Sequence, residues 1–212
     1  MTISPPDPRS GPQVGRTVPL VAGLLLAAGG GRRLGGRPKA LLPHRGRPLV
    51  EHAARALRAG GCAPVHVVLG AGAREVRARA VLPGCVLLDN PRWEEGMGSS
   101  LRAGLASLAD SGAGAAVVSL VDQPGIGPAA VARLLAAYED GARLAAAAYG
   151  GRRGHPVLLG SGHWTAVAAG ATGDRGARAH LREHADELVL VECGDIADPA
   201  DVDTPDDLSL LE

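Results

Sequence analysis

The segment Leu26-Ala-Ala-Gly-Gly-Gly-Arg-Arg-Leu-Gly-Gly-Arg-Pro-Lys-Ala-Leu-Leu-Pro43 concentrates the residues best suited to chemistry. Gly29, Gly30 and Gly31 let a backbone turn tightly and aim its N–H groups at an anion, while Arg33 and Lys39 add mobile positive charge. Lys39 is the single lysine among 22 basic residues, and it sits beside the glycines. The dinucleotide-binding fingerprint is excluded, because it would open a helix directly and place an acid on the ribose further along. A Walker A loop is excluded too, because Lys39 is followed by Ala40 where Ser or Thr is needed to hold magnesium. A phosphate-binding turn of another kind remains, against the plain alternative of a flexible connection in a Gly- and Arg-rich chain.

Further along, Asp122 follows the apolar run Val117, Val118, Leu120 and Val121 and is stiffened by Gln123-Pro124. A carboxylate there suits a magnesium ion bridging triphosphate oxygens; an ordinary Asp-x-Pro turn is the competing reading. Arg152, Arg153 and Arg175 offer positive charge to a phosphorylated acceptor, and His155 offers stacking or a hydrogen bond. Solvated loop charge is the alternative for Arg152 and Arg153, and Arg178 and His180 read as helix-surface residues. Cys62, Cys85 and Cys193 are odd in number and widely spaced, which fits packing better than disulfides or zinc.

These residues must be carried by elements. Leu20 to Leu26 is an unalternating apolar run, as for a strand buried on both faces. Helical spacing follows at 49–58, 73–81, 97–108 and 128–138, interleaved with strands at 65–69, 85–88, 115–121 and within 144–148. Ser99 or Ser100 is a candidate cap for the third helix. Beyond, a short strand at 156–159, helices at 161–169 and 177–184, a strand at 187–191 and a terminal helix capped by Thr204 complete the pattern. The alternation gives an α/β fold of three layers, a mostly parallel sheet flanked by helices. Ligands collect beyond the carboxyl ends of such strands, at the glycine loop, Asp89-Asn90-Pro91 and Asp122-Gln123-Pro124.

Residues 1–18, rich in proline, read as a flexible tail preceding a single domain over 19–212. No stretch has the length and continuity of a membrane span, and no signal core is visible, so a cytoplasmic protein without membrane contact is expected. Residues 1–100 carry 14 basic and 6 acidic groups, and residues 101–212 carry 8 and 16. Without interleaved aromatics this argues for a small polyanion and not a nucleic acid as ligand.

The pattern L-A-A-G-x-x-x-R-x-G-x-x-x-K-x-L-L-P resembles the signature of the MobA-like nucleotidyltransferase superfamily, in particular its molybdenum-cofactor cytidylyltransferase branch. The resemblance runs from about Leu20 to the C-terminus. It implies a Rossmann-like nucleotide-diphospho-sugar transferase fold in which Leu26, Ala27, Ala28 and the glycines wrap a triphosphate, with Arg33 and Lys39 neutralising it. It implies metal binding by Asp122 and Asp203, the latter within Asp201-Val-Asp-Thr-Pro205, where Asp201 can exchange roles with Asp203. Asn90, Ser99 and Ser100 match segments that relatives place around the base and sugar. Gly31 stands where relatives often have Ser, and Leu34 where they often have Met.

What the resemblance implies is transfer of CMP from CTP to the phosphate of a molybdenum-pterin cofactor, with pyrophosphate released and Mg2+ as cofactor. A molybdenum enzyme or its maturation factor is the implied protein partner. Two alternatives stand beside it: a nucleotidyltransferase using GTP or another phosphorylated acceptor, such as phospholactate or a sugar phosphate, and a non-catalytic molybdenum cofactor carrier. Lys39, Asp122 and Asp203 weigh against the carrier, which needs no metal-triphosphate clamp.

Overall fold

The structure is a computed structural model that describes residues 20–212; the tail expected over residues 1–18 lies outside them. In chain order the elements are β1 (Val21–Ala27), β2 (Pro43–His44), β3 (Arg47–Pro48), α1 (Leu49–Ala59), β4 (Val65–Leu69), α2 (Ala73–Arg79), β5 (Cys85–Asp89) and α3 (Met97–Ser107). They continue as β6 (Ala115–Leu120), α4 (Pro128–Glu139), β7 (Leu144–Tyr149), β8 (Arg152–Gly160), α5 (Trp164–Gly170), α6 (Arg178–Glu183) and β9 (Leu188–Glu192). A seven-stranded sheet has the order β5-β4-β1-β6-β8-β7-β9, and β2 pairs with β3 in a separate two-residue ladder.

Every pairing in the large sheet is parallel except those of β8, which runs antiparallel to both β6 and β7. The α/β fold, with a mostly parallel sheet between helical layers, is therefore as expected. One core lies on each face. Leu25, Ala27 and Val67 pack with Val50 and Leu57 of α1 and Val131 and Leu134 of α4. Leu24, Leu26 and Val118 pack on the other side with Leu101 and Leu105 of α3, Val167 of α5 and Leu181 of α6. Alternate residues of β1 thus enter opposite cores, which is why its sequence shows no polar alternation. Close approach of α3 rests on Gly104, where an added Cβ would lie 2.4 Å from Leu24 Cδ1.

Three local expectations change. The strand placed at 156–159 is nine residues long and starts at Arg152. Gly150 and Gly151, at φ 59° and 74°, form the tight turn that folds it back on β7 as a hairpin. Neither Ser99 nor Ser100 caps α3. The helix starts after Gly96 at φ 102°, and Ser99 lies inside the first turn with its hydroxyl shared between the Arg92 and Gly96 carbonyls at 2.8 and 2.9 Å. The terminal helix is a 3-10 helix, Pro205–Leu211, in which the Asp207 carboxylate accepts from Thr204 N, Thr204 Oγ1 and Asp203 N at 2.7, 2.8 and 3.0 Å.

Candidate active site

β1 delivers the chain to the carboxyl edge of the sheet, and the glycine loop begins there. Gly31 adopts φ 57°, and its carbonyl accepts from Leu34 N and Gly36 N at 2.8 and 3.0 Å, closing the loop on itself. A Cβ on Gly31 would sit 2.1 Å from the Arg37 carbonyl oxygen, so the serine common in relatives has no place in this backbone. The glycine is a conformational requirement here, and more than a lost hydroxyl. Leu34 fills the interior beneath the loop at 7% exposure.

From the loop the chain enters the 3-10 turn Lys39–Leu41, which aims the lysine back toward the sheet edge. Lys39 Nζ donates to Asp122 Oδ2 at 2.7 Å and also to the Asp203 carboxylate. Asp122 is carried by the end of β6, where Val121 N bonds to Leu26 O at 3.1 Å. Asp203 arrives from the C-terminal segment, tied down by Val202 N donating to Asp122 O at 2.8 Å. Burial pulls the Lys39 ammonium down, but Asp122 and Asp203 outweigh it and hold it above its usual value. Asp201 is pushed above the usual carboxylate range, first by burial and then by the Asp122 charge, with Gln123 and Lys39 acting against the shift. Asp203, and not Asp201, is the second carboxylate that accepts from the Lys39 ammonium beside Asp122.

A cavity of about 440 Å³ opens over this cluster. Of the residues singled out by sequence, Leu26, Ala28, Gly29, Gly30, Gly31, Arg33, Lys39, Ser100, Asp122 and Asp203 line it. Ala27 is buried in the sheet beneath at 1% exposure. Asn90 and Ser99 stand behind the wall: Asn90 Nδ2 donates to Ser99 Oγ and Ser100 Oγ at 2.8 and 3.1 Å, and its Oδ1 accepts from Arg92 N at 3.0 Å. Their polar atoms are spent on holding the start of α3, so Ser100 is the one of the three that reaches the cavity.

A second cavity of about 390 Å³ adjoins the first along Leu26 and Met97. Arg153, His155 and Arg175 line it, whereas Arg152 is exposed at the β7–β8 turn, outside both cavities. Burial pushes the His155 imidazole down to about 4, so at neutral pH it offers a hydrogen bond and no positive charge. Gln123 Oε1 is buried without a hydrogen-bond partner in this wall, while its Nε2 donates to Pro199 O at 3.1 Å.

Sequence reasoning missed several wall residues. Trp93, Glu95, Met97 and Asp174 face the first cavity, and Gln123 and Arg178 face the second. Trp93 had a signal: it is one of two tryptophans in a chain with 2% aromatics, and it packs on Gly30, where a Cβ would meet its ring at 3.0 Å. Arg178 and His180 were expected on a helix surface; Arg178 is exposed there and also lines the second cavity, whereas His180 is buried at 6% exposure. The short α6 packs against α5, which takes His180 out of solvent.

Residues 23–188 match the family described as MobA-like NTP transferase domain. The chain is 46% identical over 201 residues to a protein of Paenarthrobacter nicotinovorans named Nicotine blue oxidoreductase, spanning 92% of this chain and 97% of that one. Among solved structures it resembles a homologue of Rv0371c from Mycobacterium sp. strain JC1, with 35% identity, a TM-score of 0.76 and coverage of 90% and 94%. Rv0371c of Mycobacterium tuberculosis H37Rv itself gives 29% identity, a TM-score of 0.79 and coverage of 92% and 98%. The same protein in complex with manganese gives 26%, 0.73, 91% and 97%. The chain belongs to the MobA-like NTP transferase domain family, and its fold is that of a nucleotidyltransferase. Among the described residues, no helix is long and apolar enough to cross a membrane.

Proposed function

We propose that this protein transfers a nucleotidyl group from CTP to the phosphate of a pterin-type acceptor and releases pyrophosphate. The observation that carries the reading is the convergence of Asp122 and Asp203 on one cation, the Lys39 ammonium, beside a glycine loop that ends a buried strand. Two carboxylates already gathered around one positive charge are a donor set that fits a divalent metal, and the manganese complex of Rv0371c is consistent with it. When bound, the metal, with Mg2+ as our choice, neutralises triphosphate oxygens and polarises the reacting phosphorus.

The chain's own residues do the rest. Loop N–H groups, Arg33 and Lys39 hold the departing pyrophosphate; Ser100 and Met97 border the space toward the sugar and base. An acceptor phosphate is already ionised near neutral pH, so attack on the alpha phosphorus needs no side-chain base. Its oxygen forms the new P–O bond as the bond to pyrophosphate breaks, and alignment across the two adjoining cavities sets the rate. Arg153 and Arg175 attract the acceptor phosphate, and the unpartnered Gln123 Oε1 accepts an N–H of the kind a pterin edge presents.

A second reading rests on the Paenarthrobacter relative, whose name describes an oxidoreductase. In it, the same loop holds the diphosphate of a nicotinamide dinucleotide and the second cavity a flat heteroaromatic electron acceptor. Paired carboxylates around a lysine have no evident task in hydride transfer, which places this reading second. The test is a panel of CTP, GTP, ATP and UTP with Mg2+, with and without the phosphorylated pterin, read as pyrophosphate. In parallel, NADH and NADPH are supplied with a quinonoid dye and followed by the loss of nicotinamide absorbance. Pyrophosphate release with CTP and the pterin supports the proposal; release with GTP or without the pterin overturns its narrower part. Nicotinamide oxidation without pyrophosphate replaces it with the redox reading.

A further inference from the structure

At the opposite pole of the sheet, three of the chain's seven histidines meet. His163 closes the 3-10 turn Ser161–His163 that follows β8, where Ser161 N bonds to Gly114 O at 2.8 Å, just before β6 starts. His180 and His184 come from α6 and its end, four residues apart and therefore on one helix face. One ligand atom from each ring lies within 4.8 Å of the others, and among the described residues this is the one group of three or more metal-ligating side chains so placed.

The hydrogen bonding prepares the rings as ligands. His184 Nδ1 lies 3.0 Å from the His180 carbonyl oxygen, which only accepts, so the proton is on Nδ1 and the Nε2 lone pair is free. A backbone carbonyl fixing the far nitrogen is the usual support of a metal-bound histidine. His163 Nδ1 and His180 Nε2 face each other at 3.0 Å. Two nitrogens bound tetrahedrally at about 2.0–2.1 Å to one ion stand about 3.3 Å apart, so admitting it takes a small separation of the pair and transfer of the proton they share to the far nitrogen of the same ring by tautomer exchange. His180 is buried at 6% exposure, and the other two are half-buried, which leaves one side of the cluster open to water.

We infer that His163, His180 and His184 form a binding site for a borderline transition-metal dication such as Zn2+, with three imidazole ligands and a water in the fourth position. Imidazole nitrogen without carboxylate favours zinc over magnesium, and three protein ligands leave one tetrahedral position open. The ion would tie α6 to the turn after β8. That matters because Ala177, Arg178 and Leu181, at the start and middle of the same short helical segment, wall the second cavity. The site shares no residue with the Lys39, Asp122 and Asp203 cluster, so it stands whether or not the proposed reaction does.

The experiment uses the full chain without a polyhistidine tag, stripped with a chelator and dialysed against Zn2+ in excess Mg2+, with bound zinc measured by elemental analysis. One zinc per chain is expected, together with a rise in Tm. His163→Ala and His184→Ala should each weaken binding at least tenfold, the scale on which even a lost supporting partner acts. Asp122→Asn should keep the zinc. Co2+ in place of Zn2+ should give tetrahedral visible bands that the histidine variants lose, and circular dichroism of chelated variants confirms that they fold. The inference is overturned if the wild type retains no zinc, if the folded His163→Ala/His184→Ala double variant binds as much as wild type, or if Asp122→Asn abolishes binding.

Discussion

Two carboxylates brought together at a sheet edge repel, and the Lys39 ammonium is what lets Asp122 and Asp203 converge. Removing it should therefore have two effects of different sign. Lys39→Ala is expected to lower turnover by about 100-fold or more, as when a single preorganised charge partner is lost, while the metal concentration needed for half-activity falls because the competing cation has gone. Pyrophosphate release across a metal titration reads both, and unchanged turnover in the folded variant removes Lys39 from the mechanism. Asp207 belongs to the same scale. Hydrogen bonds from the Thr204 hydroxyl, then from the Thr204 and Asp203 amides, hold its carboxyl below the usual value. A depressed carboxylate stabilises the fold above its unfolded pKa and ceases to do so as pH falls through the folded one. Asp207→Asn should thus melt below wild type at pH 7, with the gap closing as pH drops below about 4; a gap that persists in acid would show that the carboxylate charge is not its source.

Among the elements, α3 is positioned by what it lacks. Gly104 lets it lie against Leu24 of β1, and its amino end, held by Asn90, carries Ser100 into the first cavity. Gly104→Ala is expected to destabilise the fold by about 1–3 kcal/mol through overpacking, measured by urea unfolding; a neutral result would mean that the helix can slide without consequence. Most strands and helices up to β7 were legible as apolar or periodic runs, whereas the two-residue β2 and β3 are too short to show a pattern. The glycine loop was legible for a related reason, since glycines after a buried strand have few other uses. What escaped was set by backbone conformation that residue types do not reveal, or by contacts distant in sequence. Ser99 reads as a cap until Gly96 at φ 102° is seen to start the helix, and Arg152 differs from Arg153 only in which side of a hairpin it faces. The pairing of His163 with His180 spans 17 residues and has no local pattern to announce it, although the i, i+4 spacing of His180 and His184 was in plain view.

For the molecule as a whole, the uneven charge of the sequence becomes a field at one end of the sheet. Arg32, Arg33 and Lys39 of the basic first part line the cavity with Glu94 and Glu95, and Asp122, Asp174 and Asp203 of the acidic second part join them. Exposed charges act on a nucleotide through solvent, so KM for the nucleotide should rise with added salt above about 0.1 M, where screening shortens to about 10 Å. Turnover at saturation should change little, because the buried contacts of Lys39 are screened less. Steady-state kinetics across a salt series decide it, and a salt-independent KM would deny the exposed arginines any part in capture.

The single antiparallel strand has a consequence for how this chain is born. As the polypeptide leaves the ribosome, β1, β4, β5 and β6 can assemble as a parallel half-sheet, but the free flank of β6 is the place reserved for β8. Until residue 160 has emerged, that flank is a row of unpaired amides and carbonyls over a core of Ala115, Val117 and Val118, an invitation to pair with other nascent chains. Fragments ending between β6 and β8 should therefore aggregate where the full chain does not. In the finished protein the late-arriving strand occupies that seam and supplies Arg153 and His155 to the second cavity, so the segment that completes the sheet also completes the site.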